Sequence, residues 1–335
     1  NPLALFNAAI RQSWSHFIKQ IRRDGGAFAK DILICLPAAT RLLKYARAHK
    51  LDHIHVHSCA RAALIAAMAR QMGGPTYSIT LHGPMSDYGV GQALKWRDAA
   101  FATIITRKLE AEAHEELGDA IPKAIFIRPM GVDTDVLSRQ TPYQPPKPDE
   151  PLRIFSCARL NIVKGHQDVM AAVQLLKSQG IAVQLEIAGE DDAGGGGYRL
   201  ALQARIKELG LENEVTLLGA IDADAVKAKL LEAHLFVLAS WHEPLGVAYM
   251  EAMSCGVPTI GTNAGGVTEM IESGETAILV EPKSPDILAR TILELSQDPS
   301  ELQRLSHTGR AHIVANYGAA LGAETLIKGV EEAKL

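Results

Sequence analysis

Short apolar strands alternate with helical segments along most of this 335-residue chain, and this alternation constrains the fold more than any other feature. In the second half the predicted strands are LRIFSCA (152–158), VQLEIAG (183–189), EVTLLG (214–219), LFVLAS (235–240), PTIGT (258–262) and AILVEP (277–282). A helix is predicted between each neighbouring pair, and the last helices run from Pro285 to Leu335. Strands joined by helical crossovers pair in parallel, so we predict a doubly wound, Rossmann-like domain.

The first half follows the same rhythm after a helix predicted over Asp31–His49. Its predicted strands are HIHVHS (53–58), PTYSITLHG (75–83), AFATIIT (100–106) and AIFIRP (124–129), with one helix predicted near Ala60–Met72 and another running through Leu117. Ahead of them, helical spacing forms one apolar face from Leu3, Phe6, Ile10, Trp14, Phe17, Ile18 and Ile21. That face either covers a sheet or lies on a membrane surface.

Residues 140–151, QTPYQPPKPDEP, contain five prolines and indicate a stiff linker between domains. We therefore predict one Rossmann-like domain over 1–145 and a second over 152–315. A terminal helix over 316–335 is predicted to cross back to the first domain. Two such α/β domains leave a cleft that the carboxyl ends of their strands face.

The charge of the chain is unevenly distributed. Residues 1–150 hold 19 Lys and Arg against 14 Asp and Glu, the remainder 15 against 24, and the first 50 residues 9 against 2. The excess of basic residues in the first 50 positions is compatible with binding to an anionic membrane surface. The sequence has no cluster of basic residues interleaved with aromatic ones, which argues against binding to nucleic acid. The longest apolar run, residues 62–69, is too short to span a bilayer, and no signal peptide is recognised. Four cysteines without a CxxC spacing indicate a reducing, cytoplasmic compartment.

Several patterns resemble metal or phosphate sites without meeting their requirements. His53, His55 and His57 share one face of a strand, but no carboxylate or cysteine joins them at ligand spacing. The pairs Asp133/Asp135 and Asp222/Asp224 could hold Mg²⁺, although Asp133 and Asp222 are better explained as helix caps. The run GEDDAGGGG (189–197) is neither a dinucleotide fingerprint nor a P-loop, and it predicts a mobile strand-to-helix connection.

The stretch HEPLGVAYMEAMSCG (242–256) carries the strongest functional signal. It follows a predicted strand, and its helix begins near Leu245–Val247, where free N–H groups and the helix dipole suit a phosphate. Glu243 and Glu251 stand eight positions apart, ~12 Å on a helix, which is too far to share one proton or one metal. They can instead contact opposite ends of one elongated ligand. The loop ARLNIVKG supplies Arg159 and Lys164, two cations suited to a diphosphate.

These motifs together resemble the family-four retaining glycosyltransferases, glycosyl transferases group 1, of bacterial exopolysaccharide and lipopolysaccharide type. EPLGVAYMEAMSCGVPTIGT is similar to their E-x7-E motif, ARLNIVKG to their R-x4-K element, RPMGVDTDVL to their NGVD segment, and TLHGP to a strand end with a cleft histidine. The resemblance covers about residues 50–330. It implies the α/β GT-B fold, with two Rossmann-like domains facing a cleft, the acceptor-side domain over 1–145 and the nucleotide-sugar domain over 152–315. It also implies transfer of a hexose from a UDP- or GDP-sugar to a glycan or lipid-linked acceptor. The implied transfer retains the α configuration and uses no metal or cofactor.

The resemblance also implies a role for each matching residue. Arg159 and Lys164 would bind the diphosphate, Glu243 the sugar hydroxyls, and Glu251 the ribose. The backbone N–H groups of Leu245, Gly246 and Val247 would meet phosphate. Gly189 and Gly219 would flank the base, and His82 would lie near the reacting face of the sugar.

One departure from the family pattern is that the chain opens with a helix, so its N-terminal domain is expected to lack the first strand and Gly-rich loop. The chain would then be a fragment or have an incomplete site. Two alternatives stay open, a non-catalytic subunit that binds nucleotide sugars and a GT-B nucleotide-sugar epimerase. The expected location is the cytoplasm, at the inner face of the cell membrane.

Overall fold

The computed structural model of this chain describes residues 14–191 and 197–333. The chain divides into two compact units, Asn1–Pro129 with Gly322–Leu335, and Met130–Leu321. Leu3, Phe6 and Ile10 of the predicted amphipathic helix, and residues 192–196 of the glycine run, lie outside the described residues.

The first unit is built on a parallel sheet whose four strands lie side by side in chain order. The strands are β1 (His53–Val56), β2 (Thr76–Leu81), β3 (Ala102–Ile104) and β4 (Ile125–Ile127). The helices are α1 (Trp14–Ala48), α2 (Arg61–Gln71), α3 (Gln92–Arg97) and α4 (Arg107–Leu117). Short 3₁₀ turns cover Met85–Tyr88 and Gly118–Ala120.

Helix α1 contains the two helices predicted before β1, as far as the described residues extend. Its backbone is kinked at Gly25, where φ is 62°, a left-handed value that glycine adopts without steric cost. After the kink, Phe28, Cys35 and Ala39 are buried together with Leu64 and Met68 of α2. The apolar spacing of 31–49 therefore serves packing on α2.

The second unit contains a six-stranded parallel sheet in the order β10-β9-β8-β5-β6-β7. Its strands are β5 (Leu152–Cys157), β6 (Val183–Ala188), β7 (Val215–Gly219), β8 (Leu235–Val237), β9 (Thr259–Thr262) and β10 (Ile278–Val280). The helices are α5 (His166–Ser178), α6 (Tyr198–Glu208), α7 (Ala223–Glu232), α8 (Val247–Ser254), α9 (Val267–Met270), α10 (Pro285–Ser296), α11 (Pro299–Asn316) and α12 (Ala319–Glu332). A 3₁₀ turn covers Ile162–Lys164. This is a doubly wound, Rossmann-like sheet of the kind that the alternating pattern predicts, and its strand order reverses between β5 and β8.

The proline-rich segment has neither a helix nor a strand over residues 140–151. It is fastened to the second unit, because the buried Tyr143 donates its hydroxyl to the carbonyl of His234 over 2.8 Å. At the other end of the chain, α12 leads into the first unit. There Thr325 accepts a 3.0 Å hydrogen bond from Arg128, and Gly329 leaves no room for a Cβ beside the Phe101 ring.

Candidate functional site

The two loops that carry the strongest sequence motifs leave the sheet at adjacent strand ends. Strand β5 pairs with β8 through Ile154–Leu235 and Phe155–Phe236. The loop after β5 carries Arg159 and Lys164, and the loop after β8 carries Glu243. Ligands of doubly wound sheets bind at this reversal of strand order, beyond the carboxyl ends of the strands. The topology therefore brings together two motifs that are far apart in the sequence.

An ion pair joins these loops. The Nζ of Lys164 lies 2.7 Å from Oε2 of Glu243, and both side chains are largely buried, with 14% and 11% of their surface exposed. Ser240 places its hydroxyl 3.4 Å from the same carboxylate oxygen. Charge-assisted bonds of this kind hold both groups in a fixed geometry.

Glycine residues allow the loops to approach this closely. Gly165 has φ +69°, and a Cβ there would lie 1.8 Å from the carbonyl oxygen of Ala239. Gly265 has φ +77°, and its Cβ would lie 2.1 Å from the carbonyl oxygen of Glu243, which also accepts a 2.8 Å hydrogen bond from the N–H of Gly266. The backbone on both sides of the ion pair is therefore closely packed.

Helix α8 begins beside Glu243 with an open N-terminus. Its N-cap, Gly246, is left-handed at φ 93° and provides no side-chain cap. The N–H groups of Gly246 and Val247 have no acceptor among residues 14–191 and 197–333. A Cβ on Gly246 would come within 2.4 Å of the Tyr249 ring, whose hydroxyl donates to the carbonyl of Leu238 over 2.7 Å. This arrangement anchors the helix start and leaves its donors available to an anion.

Glu251 lies one turn inside α8 and is half-buried. Burial raises the pKa of its carboxyl group, and the side chain has no hydrogen bond or ion pair within the described part of the chain. Burial and then the charge of Glu251 raise the pKa of the Cys157 thiol to about 11. Glu251 is thus a carboxylate without a hydrogen-bonding partner close to the end of β5, a position suited to a ligand hydroxyl.

Gly189 and Gly219 meet at the ends of β6 and β7, where the N–H of Gly189 donates to the carbonyl of Gly219 over 2.9 Å. A Cβ on Gly189 would lie 1.9 Å from the carbonyl oxygen of Ala158. Beside Gly219, Arg199 forms a 2.9 Å ion pair with Glu190. The two glycines therefore lie on the same edge of the sheet as the loop that begins with Arg159.

His82 follows β2 in the first unit and stacks against His57, with 5.8 Å between the ring centroids. Burial, and then the charge of His57, lowers the pKa of His82. Of the other predicted histidines, His53 contacts the hydroxyls of Thr76 and Ser78 at 2.8 Å, and His55 contacts Ser78. No group of three or more His, Cys, Asp or Glu within the described ranges is arranged to hold a metal ion.

Of the two aspartates predicted to cap helices, one does so and the other does not. Asp222 caps α7, because its Oδ1 accepts a 2.8 Å hydrogen bond from the N–H of Ala225. The prediction that Asp133 caps a helix is wrong. Its Oδ1 accepts from the N–H groups of Asp135 and Val136, but residues 134–136 form a turn, and no helix begins there. A short aspartate side chain stabilises a turn with the same contacts that it makes at a helix start.

The sequence patterns missed a cluster around Trp241, two positions before Glu243. Its indole N–H donates to Asp168 of α5 over 2.6 Å, and its backbone N–H donates to the carbonyl of Val163 over 2.7 Å. The Nζ of Lys283 lies 4.3 Å from the centroid of the ring. Trp241 thus holds the Lys164 loop against the Glu243 loop. The sequence feature that could have indicated this cluster is the tryptophan between a predicted strand and the EPLG motif.

Known proteins are similar to the part of the chain that carries most of these residues. The family described as "Glycosyl transferases group 1" matches residues 139–312. A Salmonella typhimurium protein bearing the name of a colanic acid biosynthesis glycosyltransferase, WcaL, is 30% identical over 203 residues, covering 58% of this chain and 48% of that protein. This chain therefore spans about half the length of that relative.

A longer match joins this chain to a GDP-mannose-dependent α-(1-6)-phosphatidylinositol monomannoside mannosyltransferase of Mycolicibacterium smegmatis. It is 24% identical over 326 residues and covers 88% of this chain and 81% of that protein. Among solved structures, HepE of Anabaena in complex with UDP and glucose superposes with a TM-score of 0.75. That match is 21% identical and covers 88% of this chain and 81% of the other, so it indicates a shared fold.

Proposed function

This chain belongs to the glycosyl transferases group 1 family, has the Rossmann-like sheets of the GT-B fold, and we propose that it is a retaining hexosyltransferase. It would transfer a hexose from a UDP- or GDP-sugar to a glycan or lipid-linked acceptor hydroxyl, without a metal or cofactor. The observation that carries this proposal is the Lys164–Glu243 ion pair beside the open N-terminus of α8. A cation, an anion and free backbone donors are thereby assembled at one edge of a sheet.

This arrangement supports the roles that we propose for the residues. The N–H groups of Gly246 and Val247 and the ammonium of Lys164 would bind the diphosphate of the donor, with Arg159 supplying a second cation. When the bond between the sugar and the diphosphate breaks, negative charge grows on the leaving group, and these donors stabilise it. The backbone N–H of Leu245 would extend the same cradle.

Glu243 would change partner when the donor binds. Its carboxylate is paired with Lys164 in the free protein, and a diphosphate would compete for that ammonium. The carboxylate could then accept hydrogen bonds from the hydroxyls of the sugar. Glu251 would accept hydrogen bonds from the ribose, while Gly189 and Gly219 would flank the base. We further propose residues 152–315 as the nucleotide-sugar domain and His82 as the residue of the first domain near the reacting sugar.

The acceptor class and the cellular location are proposed from the basic and apolar side chains on the surface of α1. No helix within residues 14–191 and 197–333 has the length and apolar character needed to cross a bilayer. The exposed surface of α1 carries Lys30, Arg41 and Lys44 next to Leu33, which is 72% exposed, and Tyr45, which is 56% exposed. Basic side chains beside apolar ones suit an anionic membrane surface. We propose that the protein works at the cytoplasmic face of the cell membrane on a polysaccharide or lipid-linked acceptor.

A panel of UDP-, GDP- and ADP-sugars tests the function. A nucleotide sugar of the right base should raise the midpoint of thermal unfolding, and the same sugar should then be consumed in a hydrolysis and transfer assay. Turnover with an anomer-retained glycoside product supports the transferase. A higher unfolding midpoint without turnover would indicate a non-catalytic subunit that binds nucleotide sugars. Release of a free, altered sugar in the absence of an acceptor would indicate an epimerase. Activity that survives chelation by EDTA supports a metal-independent reaction.

A further inference from the structure

The second unit contains a cavity of about 820 Å³ that the donor site does not use. One wall is the segment Arg139–Tyr143, and the other is a single face of α11. On α11 the lining residues follow three- and four-residue spacing and include Gln303, His307, Arg310 and Ala311. The volume lies in the range of small-molecule sites, about 300–1,000 Å³.

This cavity is separate from the candidate donor site. It is lined by Gly256, which follows the C-terminal end of α8, whereas Lys164 and Glu243 lie beside the N-terminal end of that helix. The eight residues of α8 extend over ~12 Å. A ligand in the cavity would therefore not occupy the phosphate cradle proposed above.

Two arginines in the cavity are fixed by backbone carbonyls. The guanidinium of Arg139 donates to Cys255 over 3.1 Å and to Leu231 over 3.2 Å. The guanidinium of Arg310 donates to the carbonyl of Leu137 over 3.2 Å and also to that of Ser254. These carbonyls hold both cations in place and leave Nε and Nη2 of Arg310 without an acceptor in the part of the chain that the structure describes.

Neither arginine has an acidic partner in the described ranges, and the residues that line the cavity include no Asp or Glu. This is unusual for its surroundings, because residues 151–335 carry 15 Lys and Arg against 24 Asp and Glu. The exposed His307 and Gln303 add further donors on α11. Cations that are held in place without a carboxylate are suited to a ligand that brings the negative charge.

From this geometry we propose that the cavity between Arg139–Tyr143 and α11 binds an oxyanion, a phosphate or carboxylate group carried by a small molecule. Arg310 is the principal ligand, with His307 and Gln303 completing the site. The proposal does not depend on the identity of the sugar donor or on catalysis at Lys164.

Isothermal titration calorimetry with inorganic pyrophosphate and with glucuronate tests the proposal, the two probes representing the two sources of an oxyanion. Ala311→Glu places a carboxylate in the cavity, and Ala315→Glu places one on the same helix outside it. Both alanines are exposed, so neither change disturbs the core. Lys164→Ala removes the proposed cation of the donor site and separates binding there from binding in the cavity.

We expect at least one probe to bind the wild-type protein, with affinity lowered about tenfold or more in Ala311→Glu by like-charge repulsion. Ala315→Glu and Lys164→Ala should retain that binding, and the stronger probe identifies the group recognised. Equal affinity in the two glutamate variants would overturn the proposal. The proposal would also be overturned if both probes bound the wild-type protein and lost that binding only in Lys164→Ala. The same holds if neither probe bound the wild-type protein.

Discussion

Lys164 and Glu243 form a 2.7 Å ion pair although 79 positions separate them in the sequence. Each lies in a loop that leaves one of two adjacent strands, and both side chains are more than four-fifths buried. In the free protein each is the partner that compensates the charge of the other. A donor molecule that competes for the lysine would therefore change the environment of the glutamate in the same step.

Removing either partner should abolish sugar transfer and also destabilise the free protein. Lys164→Met leaves the Glu243 carboxylate without its cation, at an expected cost of ~1–3 kcal/mol in the free energy of unfolding. The double variant Lys164→Met/Glu243→Leu removes both charges and should be more stable than the single variant. Urea denaturation measures the stabilities, and product formation measures activity. Normal turnover in Lys164→Ala and Glu243→Ala would disprove the assigned site.

Gly165 is the glycine that the close contact between the two loops requires. Gly165→Ala combines a left-handed backbone, at φ +69°, with a Cβ 1.8 Å from the carbonyl oxygen of Ala239. We expect a loss of ~3 kcal/mol or more in unfolding free energy, with donor binding lost as the Lys164 loop moves. Gly180→Ala is the matched control, because Gly180 has φ +80° and open space around it. That change should cost ~1 kcal/mol and leave donor binding intact. Similar unfolding midpoints for the two variants would contradict this explanation.

The sequence predicts the fold well because strand and helix periodicity are local properties. All six strands of the second sheet appear where the apolar runs predict them, within one to three residues at their ends. The loops with Arg159, Lys164 and Glu243 follow from the same pattern, since parallel strands place their carboxyl ends at one edge. The order of strands, which brings β5 next to β8, is not visible in local periodicity.

Long-range contacts account for what the sequence could not predict. Asp168 accepts from the Trp241 indole across 73 positions, and Arg139 reaches the carbonyl of Cys255 across 116. Neither pair has a spacing that marks it as a contact. The prediction of a helix after Asp133 is wrong for a local reason. An aspartate makes the same contacts with backbone N–H groups in a turn as at the start of a helix.

Glu251→Gln should stabilise the free protein at neutral pH and weaken its binding of nucleotide. Burial raises the pKa of Glu251, so the folded state favours its protonated form. Stability contributed by this group is therefore lost as the pH rises through the unfolded and then the folded pKa. Glutamine does not ionise, so the variant avoids this loss of stability. Its neutral side chain is a weaker hydrogen-bond acceptor than a carboxylate, so nucleotide affinity should fall about tenfold. The exposed Glu212→Gln is the control. Calorimetric titration and thermal unfolding at pH 7 measure both effects, and unchanged nucleotide affinity would refute the ribose assignment.

Membrane association should depend on the exposed face of α1. The protein is expected to float with anionic liposomes at low salt, to float less at high salt, and to remain unbound to neutral liposomes. Leu33→Asp places a negative charge on that face, where the side chain is 72% exposed. Leu200→Asp is a matched control on α6, at 69% exposure. No enrichment with anionic liposomes at low salt, or equal flotation of the two variants, would remove the support for a membrane surface.

Acid should destabilise the protein through His166, which is fully buried at the start of α5. Burial is the main cause that lowers its pKa to about 4 from 6.5. The unfolded chain therefore binds a proton that the folded state excludes, so stability present above pH 6.5 is lost as the pH falls towards 4. The difference corresponds to ~3 kcal/mol. In His166→Gln the decline of unfolding free energy over this pH range should be shallower by about that amount, whereas the exposed His307→Gln should leave it unchanged. Urea denaturation from pH 7.5 to 4 gives the comparison, and parallel pH profiles for His166→Gln and the wild type would show that another group causes the acid sensitivity.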